Sequence, residues 1–243
     1  MLDKKIYSLD KFLSNILYDN KKGYYQNKVP FGLNGDYITS PNISIFFSEM
    51  ISIFIIIFWK KIGKPKSFNI VEMGGGNGEM IFQINNSLKN FPQIYKICNF
   101  YIYENSELLK KIQKEKLSKI KIKWINNLNQ IKTKNNLFIA NEFFDALPIK
   151  QFEKKKQKWF ERKIRVKNKN NFEIVKSASN LSKLNKKLGI NLTSNQIFIE
   201  YSPLEIKIFK KIAKTLVKKN GGLLIIDYGF FESRMRDTLQ SLY

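Results

Sequence analysis

The sequence contains no histidine and a single cysteine, Cys98, among 243 residues. Without histidine there is no Ser-His-Asp or Cys-His catalysis and no His-ligated metal centre, and no metal is expected. One cysteine excludes a disulfide framework and points to a reducing compartment; Cys98 sits in an apolar run and reads as a buried structural residue. Apolar runs of membrane-crossing length are also lacking. The richest, residues 43–59, is interrupted by Glu49 and three serines. A span needs ~20 apolar residues, so this run reads as a buried helix and no membrane span is expected. Asp3 and Asp10 break up the N-terminus, where no signal peptide is read. Acidic residues are few: 20 Asp and Glu against 43 Lys and Arg, for a formal net charge of +23. That balance raises nucleic acid as a partner. The lysines are scattered, however, in a chain crowded throughout with Lys, Asn and Ile, and form no stripe interleaved with aromatics. Specific nucleic-acid binding is not expected.

What is present is enough apolar matter for a core, at 43% hydrophobic and 14% aromatic. The informative stretch is Phe68-Asn-Ile-Val-Glu-Met-Gly-Gly-Gly-Asn-Gly-Glu-Met80. An apolar β-favouring run ends at Met73, four glycines follow, and Met80, Ile81 and Ile84 take up helical spacing. The pattern predicts strand, tight turn, helix. A dinucleotide fingerprint fails here, because the third glycine of G-x-G-x-x-G would fall on Glu79 or Ile81. An acid followed by G-x-G-x-G fits: Glu72, then Gly74, Gly76 and Gly78. That spacing resembles motif I of class I S-adenosylmethionine (SAM)-dependent methyltransferases, and an acid there suits the cofactor's cationic amino group. An ordinary glycine-rich turn is the bland alternative.

Alternation continues downstream. Strands are expected at 97–103, 120–125, 137–140 and 223–226, with helices at 78–90, 105–117 and 206–217 between them. In the last of these, Ile206, Phe209, Ile212, Ala213, Leu216 and Val217 form the apolar face, and Gly221-Gly222 stops the helix. An earlier helix lies over Leu9, Phe12, Leu13, Ile16 and Leu17, with Ser8 as N-cap. Residues 151–200 break the alternation with a hairpin, 159–166 against 172–175, followed by polar loops or a short helix. The expectation is an α/β fold with a doubly wound parallel sheet, whose ligands sit beyond the carboxyl ends of the strands. Glu72, Glu104, Asn141-Glu142 and Asp227 all fall at such ends. Glu104, at the end of the second strand, is placed to accept ribose hydroxyls. Glu142 and Asp145 are two carboxylates in an apolar setting. Either a guanidinium lies between them, or one caps a helix while the other pairs with a lysine.

Several motifs then occur in order: Gly23-Tyr-Tyr25, Pro30-Phe-Gly32, Gly35-Asp-Tyr-Ile-Thr-Ser-Pro41, the glycine turn, Asn141-Glu-Phe-Phe-Asp-Ala-Leu-Pro148, Gln151-Phe152, Trp159-Phe-Glu-Arg162 and Asp227-Tyr-Gly229. Together they resemble the MidA-type SAM-dependent methyltransferases, a family that includes a mitochondrial complex I assembly factor methylating arginine. The resemblance runs from about residue 9 to the last. It implies a class I methyltransferase Rossmann-like sheet with a cofactor-covering N-terminal helical segment (1–60), a SAM-binding domain (61–243) and an insertion at about 151–200. It implies that Gly74, Gly76, Gly78 and Glu104 bind SAM, with Glu72, Asn141, Asp36 and Thr39 on the cofactor side. The loop from Asp36 to Pro41 would fold over the cofactor, while Glu142 and Asp145 face the acceptor. Asn77 departs from the family, which commonly has a basic residue there. The implied substrate is a protein, a respiratory complex I subunit, in a bacterial cytoplasm or a mitochondrial matrix. A non-catalytic assembly factor retaining a SAM pocket is the alternative; an NAD-linked oxidoreductase is disfavoured by the glycine spacing. Family members continue well beyond this point, so the last sheet strands are expected to be missing, leaving 223–226 as a sticky edge.

Overall fold

Phe68, Ile70, Val71 and Met73 supply β-favouring apolar side chains to both faces of one strand, and that strand becomes fully buried. In the computed structural model, residues 6–19, 21–28, 30, 35–37, 39–168, 171–229 and 234–240 are described. Along the chain run β1 (Ile6–Ser8), α1 (Leu9–Tyr18), α2 (Tyr24–Asn27), α3 (Ser40–Ile43), α4 (Ile45–Lys61), β2 (Phe68–Met73) and α5 (Glu79–Lys89). Next come α6 (Pro92–Tyr95), β3 (Cys98–Tyr103), α7 (Glu107–Lys116), β4 (Ile122–Ile125) and β5 (Asn136–Asn141). Then follow β6 (Lys150–Lys155), β7 (Lys158–Asn168), β8 (Asn171–Ser179), α8 (Ser182–Leu188), β9 (Phe198–Tyr201), α9 (Pro203–Lys219) and β10 (Gly221–Ile226). The chain forms two compact units: residues 18–146 with 207–228, and residues 1–17 with 147–206 and 229–243.

The first unit holds the parallel sheet, in the order β10-β5-β2-β3-β4. In sequence terms that is fifth, fourth, first, second, third, with β2 central. Its core lies where Phe68, Ile70, Ile102 and Ile139 of the sheet meet Ile55, Ile56 and Trp59 of α4 and Ile81, Ile84 and Leu88 of α5. The expected helix over 43–59 is present as α4, but it is buried on one side only: Phe46, Met50, Ile53 and Ile57 are exposed. Cys98 is half-buried against this core, and burial pushes its thiol up to about 12. No helix among the described residues is long and apolar enough to cross a membrane.

The second unit is an antiparallel sheet, β1-β7-β6-β9, with β8 on β7. The expected hairpin is real, as β7 with β8, but it is part of a larger sheet in which β7 also pairs with β1 and β6. Lys150–Lys155 pairs with both β7 and β9, and Ile6–Ser8 joins the far edge. Short, mixed-polarity strands such as KQFEKK carry too little periodicity to be read alone. Ser8 ends β1 and passes directly into α1, where Leu9 and Phe12 are buried and Ile16 is exposed.

Two expectations about α9 need correction. Ile208 and Ile212 are its buried residues, while Phe209 and Val217 are exposed. The left-handed residue that ends the helix is Asn220 (φ 57°), and Gly221-Gly222 open β10. Their glycine character serves close approach: a Cβ on Gly221 (φ 146°) would lie 1.9 Å from the Asn136 carbonyl oxygen, and one on Gly222 2.7 Å from the Phe58 ring. Gly221→Ala is therefore expected to lower unfolding free energy by roughly 2 kcal/mol or more, read as a reduced denaturation midpoint at unchanged m-value.

Candidate cofactor and acceptor site

The site is built at the carboxyl edge of the parallel sheet. After β2 the chain turns through Gly74 (φ 70°), Gly76 (φ 50°) and Gly78 (φ 80°), conformations that L side chains avoid. Gly78 leads into α5, whose free N–H groups point back toward the turn. Packing also demands glycine here: a Cβ on Gly74 would meet Phe143 at 2.7 Å, and one on Gly75 would meet Ile102 at 2.8 Å. Gln113 of α7, fully buried, braces the turn by donating to the Gly76 carbonyl at 2.9 Å, while its own oxygen accepts from the Trp124 indole at 2.9 Å. Nothing in the local sequence pattern singles out Gln113.

Asn77, where the family commonly has a cation, ties the turn to α3 and the segment that leads into it. Its Nδ2 donates to Asn42 Oδ1 at 2.8 Å, and its Oδ1 accepts from the Glu79 N–H at 3.1 Å. Thr39 belongs to the same segment and accepts from Asn42 Nδ2 at 2.8 Å. Asp36 is bound to Lys28 at 2.7 Å and to the Tyr24 hydroxyl, which hold its carboxyl below the usual range. Ile38 and residues 31–34 of the implied cofactor-covering segment lie outside the described residues.

Two carboxyls sit under the turn. Glu72 is 4% exposed and its Oε2 has no hydrogen-bond partner; burial, then the nearby Glu104, pushes its carboxyl up to about 8. Glu104, also buried, accepts from the Asn105 and Ser106 N–H groups, each at 2.9 Å, and from Gln113 at 3.3 Å. Desolvation still raises its carboxyl overall. One unsatisfied buried acid beside a glycine cradle suits a ligand bearing a positive group near its backbone-contacting part. SAM has such a group, and the residues present fit it.

The third cluster follows β5. Asn141 ends the strand with a buried Oδ1 that lacks a partner. Glu142 takes a left-handed φ of 47°, held by its N–H bond to the Ile226 carbonyl at 2.8 Å. Its carboxyl is raised by desolvation, against a bond from the Ser40 N–H. Asp145 is pushed up to about 6, by desolvation first and then by Asp227 and Glu142. Asp227 follows β10 and accepts from the Phe144 and Asp145 N–H groups at 3.1 and 3.3 Å, fixing the loop that carries both acids. Its place at a strand end was legible; its bracing role was not. The alternative in which one of these acids caps the helix that follows them and the other pairs with a lysine is not realised among the described residues. Tyr18 and Tyr25 stack at 5.4 Å beside Glu104 and Asp145, the Tyr18 hydroxyl donating to the Ala146 carbonyl at 2.7 Å. Burial holds both hydroxyls protonated, Tyr25 up to about 12.

Residues 50–243 match the family described as "Putative S-adenosyl-L-methionine-dependent methyltransferase". The chain belongs to this family. Among similar proteins, "Protein arginine methyltransferase NDUFAF7, mitochondrial" of Xenopus tropicalis is 27% identical over 93% of this chain and 58% of its own length. The Homo sapiens protein of the same name is 28% identical over 90% and 55%. The chain thus spans little more than half of these curated relatives. A Burkholderia thailandensis COG1565 superfamily member and likely methyl transferase, solved with S-adenosyl-homocysteine bound, superposes with a TM-score of 0.71 at 16% identity, over 86% of this chain and 55% of that one. That likeness establishes the class I methyltransferase fold.

Glu72 gives this methyltransferase-family chain a pH signature. Its carboxyl holds a proton in the folded state up to about 8 but, once unfolded, releases it near the ordinary 4.5. The folded state therefore binds more protons between these values, and stability falls as pH rises through that window. Glu72→Gln should flatten the fall by a few kcal/mol, at about 1.4 kcal/mol per pH unit, in denaturant titrations run from pH 4.5 to 8. An unchanged slope would show that Glu72 is ionised when folded.

Proposed function

We propose that this chain carries the cofactor-binding and acceptor-facing residues of a SAM-dependent protein arginine methyltransferase. The observation that carries the reading is the Glu142–Asp145 pair, with Glu142 held by the Ile226 carbonyl and Asp145 by Asp227, at the same sheet edge as the orphaned Glu72 and the glycine turn. Glu72, Gly74, Gly76, Gly78, Glu104 and Asn141 would hold the cofactor, with Thr39 and Asp36 setting the loop beside it. When bound, SAM supplies a methyl group activated by a sulfonium. Glu142 and Asp145 would attract and orient a guanidinium, whose planar donors match two carboxylates. A carboxyl near 6, such as that of Asp145, is largely ionised at neutral pH and suited to take up the proton that a methylated nitrogen sheds. The stacked Tyr18 and Tyr25 would wall off water and favour a flat cation. Arginine, in a protein, agrees with the relatives' printed name. A respiratory complex I subunit as acceptor, in a bacterial cytoplasm or a mitochondrial matrix, rests on the sequence resemblance.

The test is transfer of labelled methyl from SAM to subunits of the host's respiratory complexes, followed by amino-acid analysis. Methyl-arginine is expected; methyl-lysine, or no transfer by a chain that binds the cofactor, would contradict the reading. Glu142→Gln should reduce transfer about 10²-fold while leaving cofactor affinity nearly unchanged.

A further inference from the structure

The α4 helix is apolar on two sides. One side, with Ile51, Ile55, Ile56 and Trp59, is buried in the core. The other presents Phe46, Met50, Ile53 and Ile57, between 46% and 72% exposed, with Ile45 and Phe54 flanking them. The exposed row 46, 50, 53, 57, 60 advances by four and three residues alternately. That is the 3.5-residue period of a helix-pairing seam, narrower than the apolar face of a helix lying on a core. These six side chains leave on the order of 500 Å² of apolar surface, about as large as the largest patches that monomers carry.

The rim charges select the partner and its direction. Glu49 lies in the N-terminal half of α4, and Lys60 and Lys61 form its last turn. Two copies of α4 packed in parallel would set Lys60 against Lys60. Packed antiparallel about a two-fold axis near Ile53 and Phe54, Met50 of each copy meets Ile57 of the other. Glu49 then falls within a turn of Lys60 and Lys61 of the second copy. Apolar meets apolar and acid meets base twice over, as an isologous contact requires. We propose that the exposed face of α4 is a homodimer interface in which a second copy of this chain packs antiparallel. The area from both copies, on the order of 1,000 Å², is at the lower limit for a specific interface, so dissociation in the micromolar range is expected.

Sedimentation equilibrium on the 243-residue chain from about 1 to 100 μM tests this. A mass rising toward twice 28.7 kDa with concentration supports it. Ile53→Glu, at an exposed position, should hold the chain monomeric with unchanged circular dichroism and melting. Glu49→Lys should weaken the dimer, and adding Lys60→Glu and Lys61→Glu should restore it, which non-specific apolar association would not do. A monomer at every concentration, open-ended aggregation, a dimer indifferent to Ile53→Glu, or charge reversal without recovery would each overturn the proposal.

Discussion

The desolvation of Glu72 is the constraint around which the sheet edge is arranged. β2 lies between β3 and β5, buried at every position, and this acid shares its face with Phe68 and Ile70. A carboxyl in that place is almost wholly removed from water, and no cation among the described residues compensates it. It stays neutral when alone and would be ionised at low cost only beside a bound positive group. The glycine turn that follows lets Phe143 and Ile102 pack against bare backbone. The energetic penalty and the backbone that a ligand could approach closely thus arise from one strand and its turn.

The rest of the edge is held by small polar bridges. Gln113 joins α7 to the turn and to Glu104; Asn77 joins the turn to Asn42; Ser40 reaches Glu142; Asp227 holds the backbone of Phe144 and Asp145. Each bridge replaces a charge or a packing contact with a directional bond, so the three clusters keep their spacing without burying further apolar surface. Glu142 departs from favoured backbone geometry within this frame, and such strain persists only where neighbours over-determine it.

The parallel sheet was legible because its strands are continuous apolar runs separated by amphipathic helices, and β2, β3, β5 and β10 fall where that pattern puts them. The acids at the strand ends were legible for the same topological reason. Other features were hidden. β6 and β1 are short and mixed in polarity, and they become strands only through pairing with β7. An apolar run pointed to α4 and amphipathic spacing to α9, but both overstated how much of each helix is covered, since apolar residues on a surface look no different in sequence. Gln113, Asn77 and Asp227 act through contacts across 9 to 83 residues of chain, which no local pattern reveals.

The central claim is that the edge of this sheet is a site for SAM-type ligands and not for dinucleotides. Calorimetric titration of the chain with S-adenosylhomocysteine and with NAD tests it most directly. The account predicts saturable S-adenosylhomocysteine binding, lost in Gly76→Val because a branched side chain cannot follow a φ of 50°, and no NAD binding. Tight NAD binding, with none for S-adenosylhomocysteine, would contradict it.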